Sequence, residues 1–321
     1  MDLTRRERAI CEFAFLACFF LCSAAASSTA DVVLRSGADN SQKFNLTLAK
    51  IMVEYASAVY VDDPAELWQW SCDRCNSRTK GFELVDLIID VKHCLQAFVG
   101  LDRNLGAIVM AFRGTQESSV QNWVEDLYFR QLDFHYPGCV DAMVHHGFYS
   151  AYHNTTLRPR VLAAAHALVG QHKDLKLMIT GHSMGGAMAT FAALDLVVNH
   201  KLENVHVVTF GQPRVGNPAF ADYYRAMVPD TIRMTHAHDL VPHLPPYYPF
   251  FGERTYHHFA TEVWIYSCEM DILTYDVFRV CDDSGEDPTC CRSVVGNSVS
   301  DHLMYLGVFL KAEPFLQRQS S

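Results

Sequence analysis

Positive charge is scarce in this chain. Its 26 Lys and Arg face 36 Asp and Glu, a formal net charge of −10 over 321 residues. That balance excludes a nucleic-acid partner, which needs a basic surface to displace condensed counterions, and it excludes electrostatic docking on an anionic membrane. Long apolar runs are absent beyond the first thirty residues or so, so no later stretch is long enough to cross a bilayer. Repeats and low-complexity linkers are absent too, which favours one domain. At roughly 150 residues per domain the length permits two, yet α/β folds commonly run longer as one. With 50% hydrophobic and 19% charged residues the chain is neither disordered nor collagenous, and it has material for a core of ordinary size.

The N-terminus reads as a secretory signal over residues 1–30, leaving 31–321 as the domain. Arg5, Arg6 and Arg8 precede an apolar stretch from Phe13 to Ala26, roughly 14 residues, which is short for a membrane span. Ala24-Ala25-Ala26 and Ser28-Thr29-Ala30 both fit small-x-small cleavage. Asp2, Glu7 and Glu12 weaken the basic region, so an uncleaved signal anchor is the alternative. Of eleven cysteines, Cys11, Cys18 and Cys22 lie in the signal, and the remaining eight form an even set suited to disulfides in an exported chain. Cys72-x-x-Cys75 is also the spacing of a redox or zinc motif. Its neighbours Trp68, Trp70 and Asp73-Arg74 suit a loop better, and Cys290-Cys291 are adjacent rather than spaced as a second zinc pair. Sequons at Asn45 and Asn154 permit N-glycans.

Along the domain, Ala49–Tyr60 has helical apolar spacing. Gly106–Phe112, Leu175–Thr180 and Val205–Phe210 are short continuous apolar runs. Gly185–Val198 and Pro218–Met227 read as helices between and after them. Runs apolar on both faces, separated by helix-length segments, predict an α/β fold: a mostly parallel sheet with right-handed crossovers, covered on both sides. Active groups in such sheets sit at the carboxyl ends of strands.

One such end carries Gly181-His182-Ser183-Met184-Gly185, a strand followed by a helix with Ser at the turn. The two glycines permit a sharp elbow that lifts the hydroxyl clear of the sheet, making Ser183 the candidate nucleophile. A serine hydroxyl needs an imidazole to take its proton, and the imidazole needs a carboxylate to fix its tautomer. With chain order Ser, acid, His, Asp239 is the candidate acid, just past a predicted strand at Ile232–Thr235; Asp222 and Asp230 fall on a helix and its exit. Sixteen histidines leave the base open on spacing alone. His236, His238 and His243 crowd the acid, His182 points to the other side of the elbow, and His257, His258 and His302 remain, the last expected to precede a short apolar helix.

The motifs form an ordered series. Arg113-Gly114-Thr115, Asn122-Trp123, His146-Gly147-Phe148, Gly181-His182-Ser183-Met184-Gly185-Gly186, Gly211-Gln212-Pro213-Arg214-Val215-Gly216-Asn217-Pro218, Asp239-Leu240-Val241-Pro242-His243-Leu244-Pro245-Pro246 and Asp301-His302-Leu303 follow one another. This series resembles the class 3 (fungal-type) triacylglycerol lipases of the α/β-hydrolase superfamily, over roughly residues 49 to 310. The resemblance implies Ser183 as nucleophile, Asp239 as acid and His302 as base.

An oxyanion hole needs donors aimed at the charge developing on the carbonyl oxygen. Met184, following the nucleophile, supplies one backbone N–H. The resemblance places the second at Thr115, with Asp126 orienting the Thr115 hydroxyl. Val120, Trp123, Val124 and Leu127 fall at i, i+3, i+4 and i+7, an amphipathic helix. A packed helix shows the same pattern; the resemblance implies a lid that opens on a lipid surface. Tyr247, Tyr248, Phe250 and Phe251 suit either an acyl-groove wall or a core cluster. The resemblance also implies small loops closed by Cys72–Cys75 and Cys281–Cys290. The family's bridge from its early helix to the C-terminus has no counterpart, and Cys94, Cys139, Cys268 and Cys291 are left with three possible pairings.

The sequence therefore predicts an exported serine lipase acting on tri- or diacylglycerol at an oil–water or membrane interface. The scheme calls for no cofactor, no metal and no obligate protein partner. Within enzymes the alternatives are a phospholipase A1, a galactolipase or a feruloyl-type esterase. Outside them, the alternative is a catalytically silent hydrolase-fold binding protein.

Overall fold

The computed structural model describes residues 32–35, 44–116, 121, 122, 124, 129–250, 255–270 and 273–312. The signal at 1–30 therefore lies outside the described residues. The apolar runs become central strands because both of their faces are covered. In β4 (Ala107–Phe112), Ile108, Met110 and Phe112 enter one core, while Ala107, Val109 and Ala111 enter the other. The period of two along a strand thus serves two layers rather than one core and solvent.

In chain order the other strands of this sheet are β1 (Val32–Arg35), β2 (Glu83–Asp90) and β3 (Leu95–Asp102), before β4. After β4 and the short β5 (Gln131–Asp133) and β6 (Met143–His145) come β7 (Lys176–His182), β8 (Val205–Phe210), β9 (Thr231–His236), β10 (Glu262–Met270) and β11 (Leu273–Val280). The sheet has nine strands in the order β1-β11-β10-β9-β8-β7-β4-β3-β2, and β5 and β6 pair separately. The central pairs β4/β7, β7/β8, β8/β9 and β9/β10 are parallel, as is β1/β11; β2/β3, β3/β4 and β10/β11 are antiparallel. Architecture and topology are those of an α/β-hydrolase.

One face is covered by α1 (Leu46–Ala58) and its neighbours. A short helix, α2 (Pro64–Trp68), follows it. The other face carries α3 (His146–His153), α4 (Leu157–Gln171), α5 (Met184–Val198) and α6 (Pro218–Met227). Helix starts follow their caps. Asn45 Oδ1 accepts from Leu48 N at 3.0 Å, which begins α1 three residues before the periodicity does. Asn217 Oδ1 accepts from Phe220 N at 3.0 Å, and Pro218 opens α6. Helix α5 is buried along nearly its whole length, which its small residues allow. Its one acid, Asp195, is answered by Arg158 at 2.7 Å.

Past the predicted acid the chain differs from expectation. His302 ends a four-residue helix, α7 (Val299–His302), rather than preceding an apolar one. Gly307, at φ 77°, turns the following residues into a hairpin of β12 (Met304–Tyr305) and β13 (Val308–Phe309).

Close approach of α5 to β4 makes one glycine indispensable. A Cβ at Gly185 would lie 2.1 Å from Phe112 O and 2.9 Å from Gly114 N, both backbone atoms. Gly185→Ala is expected to lose about 3 kcal/mol of stability, read from the urea midpoint; an unchanged midpoint would contradict this packing.

Candidate active site

Strand β7 delivers Ser183 to the sheet's carboxyl end in a strained conformation, φ 57° and ψ −130°. A non-glycine residue held there costs on the order of 1–3 kcal/mol, and its surroundings hold it. Ser183 N donates to Phe210 O at 2.9 Å and Gly186 N to Ser183 O at 3.0 Å. The turn is so tight that a Cβ on Gly181 would stand 2.3 Å from the Gly185 carbonyl carbon. Ser183 Oγ is buried at the first turn of α5 and makes no hydrogen bond with a described residue.

The predicted acid and base meet from opposite ends of a long separation. His302 Nδ1 lies 2.9 Å from Asp239 Oδ2. The same oxygen accepts the Tyr305 hydroxyl at 2.5 Å, and Oδ1 accepts Val241 N at 2.8 Å. Asp239 is 2% exposed and His302 0%, so the carboxylate is stabilised by three donors in place of water. Burial and the Asp239 charge keep the Tyr305 phenol protonated. His302 Nε2 is buried with no partner among the described residues. Gly211, directly after the carbonyl that holds Ser183 N, completes the convergence. A Cβ there would fall 2.9 Å from both Asp239 Oδ2 and His302 Nδ1.

Of the other candidates around and after the acid, four contact backbone carbonyls, while His243 Nε2 is buried without a described partner. His236 Nδ1 contacts Asp301 O, His238 Nδ1 contacts Val295 O, and His258 Nε2 contacts Pro242 O. His257 Nδ1 contacts His258 O.

The loop after β4 lies against the nucleophile. A Cβ on Gly114 would sit 3.0 Å from Ser183 Cβ and 2.5 Å from His182 O, so glycine is required. Arg113 anchors the loop, giving Nη2 to Cys94 O at 2.9 Å and its backbone N to Gln96 O at 2.9 Å. Thr115 Oγ1 is buried without a described partner. Met184 is half-buried at the first residue of α5, where backbone N–H groups have no helical acceptor. Of the lid positions, Val124 is helical and half-buried beside exposed Gln121 and Asn122. Val120, Trp123, Leu127 and Asp126 lie outside the described residues.

Tyr247 stands under the Arg292 guanidinium at 4.9 Å and edge-on to His257, while Tyr248 and Phe250 are exposed. Phe251 lies outside the described residues. Asn45 and Asn154 are both exposed.

Cys72–Cys75 and Cys281–Cys290 are disulfides. Pairing within the other four is not found: Cys94, Cys139 and Cys291 are free thiols, and Cys268 is disulfide-bonded to none of them. Cys281, Asp287 and Cys290 cluster in a way that resembles a metal site, but the disulfide uses both thiolates.

Residues that sequence reasoning missed are Tyr305, Gly211, Tyr60 and the function of His182. Tyr60 lies in the Ala49–Tyr60 periodicity and Tyr305 three residues after the base, but neither carries a motif of its own. His182 Nε2 donates to His302 O at 2.8 Å, and its Nδ1 lies 2.8 Å from the Tyr60 hydroxyl.

The class 3 lipase family model matches residues 109–248. A lipase of Rhizomucor miehei is 32% identical over 243 residues, 74% of this chain and 62% of that protein. A secreted mono- and diacylglycerol lipase of Fusarium solani is 31% identical over 224 residues, 69% of this chain and 63% of that protein. The chain thus spans about three-fifths of the length of these curated relatives. A solved triacylglycerol lipase, whose catalytic centre is described as a serine protease triad, superposes with TM-score 0.71 at 31% identity, over 83% of this chain and 95% of its own.

Burial pushes His182 and His258 well below the usual histidine range, helped by His302 in the first case and by Arg233 and Arg214 in the second. Both stay neutral in the fold while the unfolded chain takes up protons below about pH 6.5. Stability is therefore full above that pH and falls as pH drops, by about 1.4 kcal/mol per pH unit for each such histidine. Urea unfolding from pH 7 to 5 is expected to show the decline, and His258→Gln to remove one histidine's share of the slope. A slope unchanged in that variant would contradict the assignment.

Proposed function

The chain belongs to the class 3 lipase family of the α/β-hydrolase superfamily, and from that premise we propose that it is a serine lipase cleaving the carboxylic esters of acylglycerols. The observation that carries this reading is the buried Asp239–His302 contact together with a strained Ser183, Ser183 Oγ and His302 Nε2 both being buried without a hydrogen-bond partner among the described residues. His302 Nε2 takes the proton of Ser183 Oγ as the oxygen attacks the ester carbonyl. Asp239 holds the imidazole tautomer and stabilises the cation that forms. The N–H groups of Met184 and Thr115, with the Thr115 hydroxyl, receive the negative charge on the carbonyl oxygen. His302 then gives its proton to the departing glycerol oxygen, and a water activated by the same imidazole releases the fatty acid from Ser183. Asp126 orients the Thr115 hydroxyl in this reading.

Tri- and diacylglycerols are the first substrates, a choice supported by the names of the similar proteins. The helix carrying Val120, Trp123, Val124 and Leu127 serves as the lid, which an apolar interface shifts toward the open state. Residues 1–30 direct export, 31–321 form the hydrolase domain, and Asn45 and Asn154 carry glycans. The site of action is the secretory pathway, with extracellular space or cell wall first and vacuole or ER as the alternatives.

Ser183→Ala, compared with the parent on triolein emulsion and on a short soluble ester, is expected to lose at least about 10³-fold in kcat on both. A fluorophosphonate should label the parent and not the variant. Equal activity in the two proteins would discard the mechanism, and a folded parent that neither labels nor hydrolyses would favour a binding role.

A further inference from the structure

Behind the triad runs a second chain of polar contacts that the mechanism above does not use. Gly114 N donates to the Tyr60 hydroxyl oxygen at 3.1 Å, that hydroxyl lies 2.8 Å from His182 Nδ1, and His182 Nε2 lies 2.8 Å from His302 O. Tyr60, His182 and His302 are each no more than 1% exposed. We propose that Tyr60 and His182 are positioning residues that tie the oxyanion loop to the main chain of the catalytic base. The inference rests on the reading of Ser183, Asp239 and His302 as a triad.

The direction of every bond is determined by chemistry. Gly114 N–H can only donate, and the His302 carbonyl can only accept. His182 therefore carries its proton on Nε2, its Nδ1 is an acceptor, and the Tyr60 hydroxyl donates to it. A second proton on His182 would turn Nδ1 into a donor facing an oxygen that already accepts from Gly114. Burial, which keeps His182 neutral, agrees with this arrangement. All three links point the same way, so each polarises the next.

The two ends of the chain lie at the two groups that must hold register with Ser183. At one end Gly114 precedes Thr115, and Tyr60 comes from the segment just past α1, on the far side of the sheet. The loop after β4 is thus held from beneath by Tyr60 as well as from the side by Arg113. At the other end the His302 backbone is held through its carbonyl while Asp239 holds the ring through Nδ1. The imidazole rings of His182 and His302 lie 4.4 Å apart, centroid to centroid. A shift of the oxyanion loop is therefore felt at the base, and the reverse.

Steady-state kinetics on a soluble short-chain ester, with the full chain, tests the proposal. Tyr60→Phe is expected to lower kcat about 10- to 100-fold with KM within about two-fold. His182→Leu should do the same, whereas His182→Gln, whose amide offers both an acceptor and a donor, should recover most of kcat. In a cycle with Thr115→Val, the combined loss of Tyr60→Phe and Thr115→Val should fall below the product of the single losses, because both act on one loop. A kcat within two-fold of the parent in Tyr60→Phe, or single losses that multiply in full, would overturn the proposal. If Tyr60→Phe does not fold, the His182 pair decides: recovery by Gln supports the relay, and equal loss in Leu and Gln overturns it. Retained hydrolysis in Ser183→Ala would instead remove the triad reading on which the relay rests.

Discussion

The contact between His302 Nδ1 and Asp239 Oδ2 is the constraint on which the site depends. It decides which imidazole nitrogen is left without a described partner, and so, in the proposed mechanism, where a hydroxyl must arrive to lose its proton. Forming it requires three stretches of chain to converge: the turn after β9, the short helix α7 and the glycine after β8. Gly211 is there because any Cβ would fill the space the pair occupies. A buried carboxylate is costly unless its lone pairs are met. Tyr305 and Val241 N meet what His302 leaves over.

The nucleophile depends on the opposite kind of support. Its backbone is strained rather than satisfied, and the strain is offset by the fit of α5 against β4 and β7. Glycines 181, 185 and 186 let the helix begin at once after the strand, so Ser183 cannot relax without moving α5. That helix is buried almost throughout, with no solvated face on which to shift. Rigidity at the elbow thus comes from the core of the domain.

What could be read from the sequence follows from how local each feature is. Strands β4, β7 and β8 were legible as continuous apolar runs, β8 with its exact bounds and the other two with ends one or two residues off. The hairpin partners β2 and β3 were not, because β2 sits at the sheet edge and mixes Glu83, Asp86 and Asp90 with apolar residues. Strands β10 and β11 likewise carry charges and a cysteine rather than a clean run. At the site, the strand–Ser–helix pattern around Ser183 is local and stood out alone. His302 did not, since sixteen histidines share its chemistry and only the family resemblance separated it from His257 and His258. Tyr60 contacts a residue 122 positions away, a relation that no local pattern contains. The cysteine arithmetic went astray for a similar reason, since bridges depend on geometry and an even count does not supply it.

The environment explains why one histidine suits catalysis and its neighbour does not. Among the described residues, His93, His206 and His302 approach a carboxylate, and of these only His302 is fully buried. His182, against the same ring, meets a hydroxyl and a carbonyl instead. Among the described residues no carboxylate pairs with it, and burial beside His302 keeps it neutral. His302 instead meets the Asp239 carboxylate at Nδ1, while its Nε2 is buried without a described partner. Two imidazoles 4.4 Å apart are thus assigned opposite duties by what lies beyond each ring. In the proposed relay His182 holds the His302 carbonyl, so the inert ring helps to place the proposed base.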